Sequence, residues 1–453
     1  MFKKATIIII IITYILLSIV PAYGLTINSE SALLFDLNTG STLFSYNAKQ
    51  RMYPASVTKI MTCILALELG DLKDVITVDE ETPYEIYGSK ISLEPGEILT
   101  LKDLLYALML PSANDAASVI AKHYAGSIEE FAKLMNKKAL ELEAINTNFV
   151  NPHGLHDDNH YTTASDLKKI VIYAMKNETF REIVKTKRYI INATNKKEER
   201  ILNNGNNLIL NTSSNIYVDG LYVSREYEGA LGIKPGYTEQ AGNCLVSYAK
   251  KNNMDLVAIV LKGSGPNVYT DTHNLLNYGF NNFKTINIIK QNMYVEDLII
   301  KDENNKTITI PLITKNPVNI ISTEDEVKNI EKQVKIYGIS PPIKKEEVVG
   351  KIEFLQNGEV IGSTELISTK SVANFKVDSS TEITTQEPKK GLTVPPLLYV
   401  ILAIVIGLFV LRTYNKIRIA KIRKRRRIKR EMERQREKER QQYETYNKNR
   451  GNY

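Results

Sequence analysis

Short apolar runs separated by turn residues predict a β-hairpin close to the start of the chain. The runs at 32–35 and 42–45 flank the turn sequence Asn38-Thr39-Gly40. Apolar residues at helical spacing follow, and they predict three helices: one after Pro54, one from Leu99 through Leu110, and one over residues 116–124. The first part of the chain therefore mixes strands and helices, as α+β proteins do.

Strand patterns dominate the second half of the chain. Two apolar runs joined by an Asn252-Asn253 turn predict paired strands at 243–248 and 256–261. Further along, short β-branched runs and an Asn357-Gly358 hairpin turn predict a small β-rich domain over residues 285–377. That domain contains no candidate nucleophile, ligand cluster or Gly-rich loop, so the chemistry is expected in residues 25–284.

The N-terminal segment has the composition of a secretory signal. Lys3 and Lys4 precede an uncharged run over 5–20, and small residues lead up to Gly24. We predict that residues 1–24 are a signal peptide cut after Gly24. An uncleaved N-terminal anchor is the alternative.

The C-terminal segments have the composition of a membrane anchor. Residues 391–411 are 21 positions without a charge, enough to cross the bilayer core as one transmembrane helix, and residues 378–390 form the predicted linker to it. Residues 412–453 carry 17 lysine and arginine residues against 5 acidic ones. By the positive-inside rule this tail is cytoplasmic beside anionic membrane lipid, and the catalytic domain of a single-pass cell-membrane protein is extracellular.

The charge distribution excludes a nucleic-acid-binding function. The whole chain has a net charge of +8, but residues 1–411 carry 42 lysine and arginine residues against 46 acidic ones. The part predicted to fold therefore has no surplus of positive charge for phosphates.

Neither the cysteines nor the histidines form a metal-site pattern. Cys63 and Cys244 are too few for a disulfide framework in an exported protein, and we predict two unpaired core thiols. His153, His156 and His160 are irregularly spaced in a loop rich in Gly, Pro and Asn, which favours loop packing over a zinc site. We therefore expect no metal and no cofactor.

A candidate nucleophile follows Pro54. Ser56 and Lys59 are three residues apart at the start of a predicted helix, so the hydroxyl and the amine lie on one face. A lysine can act as the base for such a serine if burial or a second cation lowers its pKa. The same spacing occurs at Ser165 and Lys168, and again at Ser247 and Lys250, so the remaining motifs must decide among the three.

Two further motifs complete a catalytic set. Ser112 and Asn114 follow Pro111 between two predicted helices; a helix N-cap is the structural alternative for Ser112. Lys234 precedes a strand and can supply the second cation, while Gly236 allows a substrate backbone to approach closely; an ordinary lysine beside a Pro-Gly turn is the alternative there.

The order Ser-x-x-Lys, Ser-x-Asn, Lys-x-Gly resembles that of penicillin-binding proteins and serine β-lactamases. A rival set, Ser165 with Ser213-Ser214-Asn215 and Lys234, leaves no room for the helical lobe that carries the middle motif. The sequence at 54–62, 110–116, 151–155 and 232–238 is similar to the corresponding motifs of the low-molecular-weight D-alanyl-D-alanine carboxypeptidases of serine peptidase family S11. The resemblance runs from about Leu25 to Tyr278.

The resemblance implies a transpeptidase fold, in which an antiparallel sheet packs against a helical lobe, followed by a β-rich domain. It makes Ser56 the acyl-ester nucleophile, Lys59 its base, and Ser112 and Asn114 the proton relay and the substrate amide contact. Lys234 becomes the electrostatic partner, and the N–H groups of Ser56 and Tyr237 the oxyanion hole. Gly236, Tyr237 and Thr238 complete the substrate-binding strand.

Two departures from the family pattern concern the substrate's terminal carboxylate. Pro235 replaces the usual threonine of the third motif and offers neither a hydroxyl nor an N–H, so Thr238 or another group must bind the carboxylate. The family's arginine in the Asn-rich segment is missing from 203–210, and an apparent insertion over 211–230 contains Arg225 instead.

The implied activity is removal of the terminal D-alanine from peptidoglycan stem peptides, which limits cross-linking, with β-lactams as inhibitors. D,D-endopeptidase or β-lactamase activity at the same site is one alternative. A catalytically weak protein that binds the cell wall or penicillin is another.

Overall fold

The computed structural model describes residues 25–210, 214–218, 220–323, 329–356 and 358–376. After a 3-10 turn at Ala55–Thr58, the helices are α1 (Lys59–Leu69), α2 (Thr82–Glu85), α3 (Leu101–Met109), α4 (Asn114–Ala125), α5 (Ile128–Glu141), α6 (Ala164–Ala174), α7 (Glu178–Lys185) and α8 (Asn267–Asn282).

The strands before α8 are β1 (Ser31–Asp36), β2 (Thr42–Tyr46), β3 (Val75–Thr77), β4 (Ile98–Thr100), β5 (Arg188–Ile191), β6 (Arg200–Asn203), β7 (Asn215–Val218), β8 (Leu221–Ser224), β9 (Ala230–Thr238), β10 (Gly242–Lys251) and β11 (Met254–Gly263). The strands after it are β12 (Lys284–Ile289), β13 (Tyr294–Lys301), β14 (Thr307–Thr314), β15 (Val318–Ser322), β16 (Glu331–Ile336), β17 (Val348–Gln356) and β18 (Glu359–Ser368).

A five-stranded antiparallel sheet in the order β2-β1-β11-β10-β9 forms the centre of the first domain. Its side chains alternate between two cores. On β11, Val257 and Ile259 face the helical lobe, whereas Ala258 and Val260 face α8 with Leu275. Both faces of the sheet are therefore covered, and β9 is left at one edge.

The helical lobe is arranged around α1. Every α1 residue from Lys59 to Ala66 is buried, as expected for a helix enclosed by others. Neighbouring helices have well-defined starts: the Thr100 side chain accepts a hydrogen bond from the Asp103 N–H, and Asp103 completes a capping box at α3. This places the end of α3 and the start of α4 beside α1.

The β-rich part contains a second antiparallel sheet, in the order β13-β14-β18-β17-β16, together with the pair β12-β15. Its core is aliphatic, with Phe354 fully buried among Leu and Ile side chains. The pairing of Gln356 with Glu359 confirms the predicted hairpin, although Asn357 itself lies outside the described residues.

The secondary structure confirms the predicted first hairpin, the strands at 243–248 and 256–261, and the helix after Pro54. Two boundaries were wrong. α3 begins at Leu101, not at Leu99, because Leu99 and Thr100 belong to strand β4. α4 begins at Asn114, not at 116, so Asn114 and Asp115 belong to the first helical turn. The Ala113 backbone takes the extended N-cap conformation and Ser112 has a positive φ, so the interruption is shorter than predicted.

Cys63 and Cys244 are both buried and unpaired, as predicted. The predicted signal peptide (1–24), linker (378–390), membrane span (391–411) and tail (412–453) lie outside the described residues. Within the described ranges, no helix is long and apolar enough to cross a membrane.

Asp271 on α8 fastens the start of the described chain to the first domain. Its Oδ1 accepts hydrogen bonds from the Asn28 N–H and Nδ2, each at 3.0 Å, and its Oδ2 accepts from the Ser29 N–H at 2.8 Å and Oγ at 2.5 Å. Asp271 is fully buried, so these hydrogen bonds replace those that water would make to the carboxylate.

We predict that Asp271→Ala lowers the free energy of unfolding of residues 25–376 by about 3 kcal/mol, because buried donors lose a charged acceptor. Denaturant unfolding measures this loss. Asn281→Ala on the exposed end of the same helix is the control and should change stability little. Equal effects of the two substitutions would contradict the role given to Asp271.

Candidate active site

Ser56 lies in the 3-10 turn that leads into α1. The turn packs against the loop at 151–155, where Gly154 has a φ of +82°. A Cβ at Gly154 would lie 1.9 Å from the Ala55 carbonyl oxygen, so a glycine is required at that position. The close approach of this loop fixes the position of the turn that carries Ser56.

The Lys59 amine has three partners. Its Nζ lies 3.1 Å from Ser56 Oγ, 2.7 Å from Asn114 Oδ1 and 2.6 Å from the His153 carbonyl oxygen. The last two partners are acceptors only. A neutral amine has two N–H groups and one lone pair, so both hydrogens are taken and the lone pair is left for the Ser56 hydroxyl.

The surroundings of Lys59 favour its neutral form. The side chain is fully buried, and burial lowers its pKa well below the usual value. The nearby Lys234 charge lowers that pKa further, against an opposing effect of Asp115. Asp115 is itself satisfied by the N–H groups of Ile91, Leu93 and Ala116.

Asn114 and Ser112 lie on the lobe side of the site. Asn114 is oriented by its Nδ2, which donates to the Tyr87 carbonyl oxygen at 2.7 Å. Ser112 has a φ of +66°, and its buried Oγ has no hydrogen-bond partner among the described residues. An N-cap hydroxyl would accept from the helix, so Ser112 is not the N-cap of α4, whose N-cap residue is Ala113.

The edge strand β9 forms the opposite side. Lys234 is fully buried, its Nζ donates to the Pro235 carbonyl oxygen at 3.2 Å, and burial lowers its pKa to about 7. A Cβ on Gly236 would lie 2.9 Å from the Ser56 nitrogen, so the strand approaches the nucleophile as closely as glycine allows. The structure therefore brings Ser56, Lys59, Asn114 and Lys234 into one region, as predicted.

Tyr237 and Thr238 continue the same edge. The Tyr237 side chain is 64% exposed. Thr238 Oγ1 accepts from the Ala241 N–H at 3.1 Å, so that hydroxyl oxygen is engaged in the β9–β10 turn.

The histidines pack within their loop. His160 Nδ1 accepts from the Val150 N–H at 3.0 Å, which leaves Nε2 to donate to Thr58 Oγ1 at 2.7 Å and makes the ring neutral. Burial lowers the pKa of His153 to about 3 and that of His160 to about 4. Among the described residues, no group of three or more His, Cys, Asp or Glu side chains is placed to hold a metal ion.

The rival serine–lysine pairs lie elsewhere. Lys168 donates to Thr42 Oγ1 at 2.9 Å, and Lys250 lies 3.3 Å from Asp255 Oδ2. Ser247 and Lys250 belong to one strand at odd spacing, so they are not neighbours on one face. Ser213 of the rival set lies outside the described residues.

Arg225 stacks on Tyr269 of α8, with 5.3 Å between its guanidinium carbon and the ring centroid. That helix covers the sheet face opposite the helical lobe. The Arg225 backbone carbonyl also accepts from His273 Nε2 at 3.1 Å.

Sequence reasoning missed two supporting groups. The His153 carbonyl oxygen and the Tyr87 carbonyl oxygen position Lys59 and Asn114, but a backbone atom has no residue type that a pattern could reveal. The only sequence signal was the glycine that follows each: Gly154 has a φ of +82° and Gly88 one of +81°.

Comparison with known proteins agrees with this geometry. Residues 19–265 match the peptidase S11 family, described as D-alanyl-D-alanine carboxypeptidase, and residues 283–374 match the C-terminal domain of penicillin-binding protein 5. The D-alanyl-D-alanine carboxypeptidase DacF of Bacillus subtilis is 34% identical over 345 residues, which cover 74% of this chain and 84% of the relative.

Solved structures show the same fold. Penicillin-binding protein 5 of Haemophilus influenzae is 26% identical, with a TM-score of 0.62 over 77% of this chain and 98% of its own. The Streptomyces K15 DD-transpeptidase is 32% identical, with a TM-score of 0.51 over 56% of this chain and 98% of its own. These similarities confirm the predicted transpeptidase fold and the β-rich C-terminal domain. The chain therefore belongs to the peptidase S11 family of serine hydrolases, the D-alanyl-D-alanine carboxypeptidases.

Proposed function

We propose that this protein removes the terminal D-alanine from peptidoglycan stem peptides through an acyl-enzyme on Ser56. The observation that carries the proposal is the 3.1 Å between Ser56 Oγ and Nζ of the fully buried Lys59. A hydroxyl so placed transfers its proton to a neutral amine without a histidine or a metal. Loss of the terminal D-alanine removes the bond needed for cross-linking.

In the acylation step, the Ser56 proton passes to Lys59 Nζ while Oγ attacks the carbonyl carbon of the penultimate D-alanine. The N–H groups of Ser56 and Tyr237 stabilise the oxyanion, and the close approach of β9 at Gly236 supports this pairing. The C–N bond then breaks. Ser112 Oγ, which has no hydrogen-bond partner among the described residues, relays the proton from Lys59 to the leaving nitrogen.

In the deacylation step, a water molecule gives a proton to neutral Lys59 and attacks the ester carbonyl carbon. The ester C–O bond breaks, and Ser56 Oγ takes that proton back. One water is consumed for each D-alanine released. β-Lactams acylate the same hydroxyl when their strained amide opens.

We also propose that the signal peptide (1–24) exports the protein and that residues 391–411 anchor it in the cell membrane. The support is the uncharged run followed by the basic tail at 412–453. The catalytic domain then works on the wall side of the membrane, and the β-rich domain holds it away from the lipid.

We predict that fluorescent penicillin labels the protein covalently and that Ser56→Ala abolishes the label, because the acyl-enzyme forms on that hydroxyl. Gel fluorescence and peptide mapping by mass spectrometry measure this. Ser165→Ala is the control and should keep the label. Label that persists on Ser56→Ala, or that maps to Ser165, would contradict the assignment.

We predict that Lys234→Gln moves the acid limb of penicillin acylation to higher pH. Acylation needs the neutral Lys59 amine, so its rate falls as pH drops through the Lys59 pKa, and loss of a nearby positive charge raises that pKa. Second-order acylation rates measured across pH test this. Lys250→Gln, which removes a lysine paired with Asp255, should leave the limb in place. An unmoved limb in Lys234→Gln would exclude an electrostatic role.

We predict that external protease on intact cells digests residues 25–390 and spares an epitope in 412–453, because the basic tail is held in the cytoplasm. Immunoblotting before and after lysis reads the result. Loss of the tail epitope without lysis would reverse the topology.

A further inference from the structure

Among the described residues, the end of the site at Pro235 has few groups that could hold an anion. Pro235 lies in edge strand β9, half-buried, and has neither an N–H nor a hydroxyl. Lys234, the adjacent cation, is fully buried and donates to the Pro235 carbonyl oxygen at 3.2 Å. Thr238, the other candidate, lies three residues further along β9, where its Oγ1 accepts from the Ala241 N–H in the turn and its O–H can still donate.

Gly205 lies directly beside Pro235 and bridges it to the Ser112 segment. Its N–H donates to the Leu110 carbonyl oxygen at 2.9 Å, two residues before Ser112. A Cβ built on Gly205 would lie 3.8 Å from Pro235 Cγ and 3.4 Å from that carbonyl oxygen. The residue is exposed and its φ is ordinary, so a side chain fits there, yet none is present.

The two residues therefore form one wall without a donor. The Gly205 N–H is already used, and Pro235 has none. Arg225, the cation in the insertion, is stacked on Tyr269 on the other side of the sheet.

A leaving group that enters this end loses water on the Gly205–Pro235 side. A carboxylate loses more on desolvation than a neutral amide does, unless charge-assisted hydrogen bonds replace the water. A wall that offers no such bonds gives the free acid little advantage over the neutral group.

We propose that the Gly205–Pro235 wall lets this site accept leaving groups without a free carboxylate, such as a D-alanine whose carboxyl is amidated or bonded to a further residue, nearly as readily as D-alanine itself. The proposal rests on the proposed function and concerns the same scissile bond. Ser56 Oγ forms the ester, the amide C–N bond breaks, and the leaving nitrogen receives the serine proton. Only the group beyond that nitrogen differs.

The test uses two stem-peptide analogues of one sequence that end in D-Ala-D-Ala with a free acid or a primary amide. Mass spectrometry follows the release of D-alanine and of D-alaninamide, and kcat/KM is obtained for each. We expect wild-type protein to cleave the acid less than tenfold better than the amide. The double variant Gly205→Arg with Pro235→Thr should raise the acid-to-amide ratio by tenfold to a hundredfold, because it restores a cation and a hydroxyl.

Two matched controls separate recognition of the carboxylate from the effects of side-chain shape and of added charge. Pro235→Val has the shape of threonine without the hydroxyl, so it should not raise the ratio. Gly338→Arg adds the same charge at an open position of the β-rich domain, where a Cβ would meet no atom within 4 Å, and should behave as wild type. Penicillin labelling of every variant checks that the nucleophile remains intact.

The outcomes are distinct. A wild-type preference of tenfold or more for the free acid would overturn the inference and point to Asn206, whose buried Nδ2 has no partner among the described residues, as the carboxylate donor. A low ratio that the double variant leaves unchanged would overturn the assignment to these two residues. Failure to cleave either peptide, with no penicillin label on Ser56, would instead overturn the proposed function on which the inference rests.

Discussion

The buried amine of Lys59 is the point on which the site depends. It joins three separate segments: the 3-10 turn of Ser56, the start of α4 at Asn114, and the loop at His153. Burial of an ionisable amine is unfavourable in itself, and the protein reduces this cost by supplying two strong acceptors. The arrangement that stabilises the lysine also leaves its lone pair for the serine, so stability and reactivity have the same origin.

The helical lobe and the sheet together exclude solvent from the Lys59 amine. α1 is enclosed by the other helices, and β9 with its buried Lys234 closes the opposite side. Two lysines that share a buried space repel each other, which disfavours protonation of both at once. The fold therefore keeps Lys59 neutral beside Lys234 through packing that is mostly aliphatic.

Much of this could be predicted from local pattern. Residue type and spacing were enough to predict the hairpin at Asn38-Thr39-Gly40 and the strands on either side of Asn252-Asn253. They were also enough to predict the three catalytic motifs. The start of α4 was misplaced because Asn114 and Asp115 are weak helix formers that tertiary bonds to Tyr87, Ile91 and Leu93 hold in a helical turn.

Contacts between distant segments were beyond the reach of sequence patterns. The His153 carbonyl oxygen accepts from Lys59 across 94 positions, and a Cβ built on Gly205 would lie 3.8 Å from Pro235 Cγ across 30. Neither contact has a periodicity, since each depends on how whole elements pack.

Pro235 also affects how the molecule meets others of its kind. β9 must stay uncovered for a peptide to reach Ser56, and an uncovered strand presents a row of backbone donors and acceptors that any extended chain can extend into a larger sheet. Proline breaks that row in the middle of the strand, which shortens the stretch available to a neighbouring copy. The residue that withholds a hydroxyl from the substrate thus gives an open-edged enzyme a safeguard against aggregation.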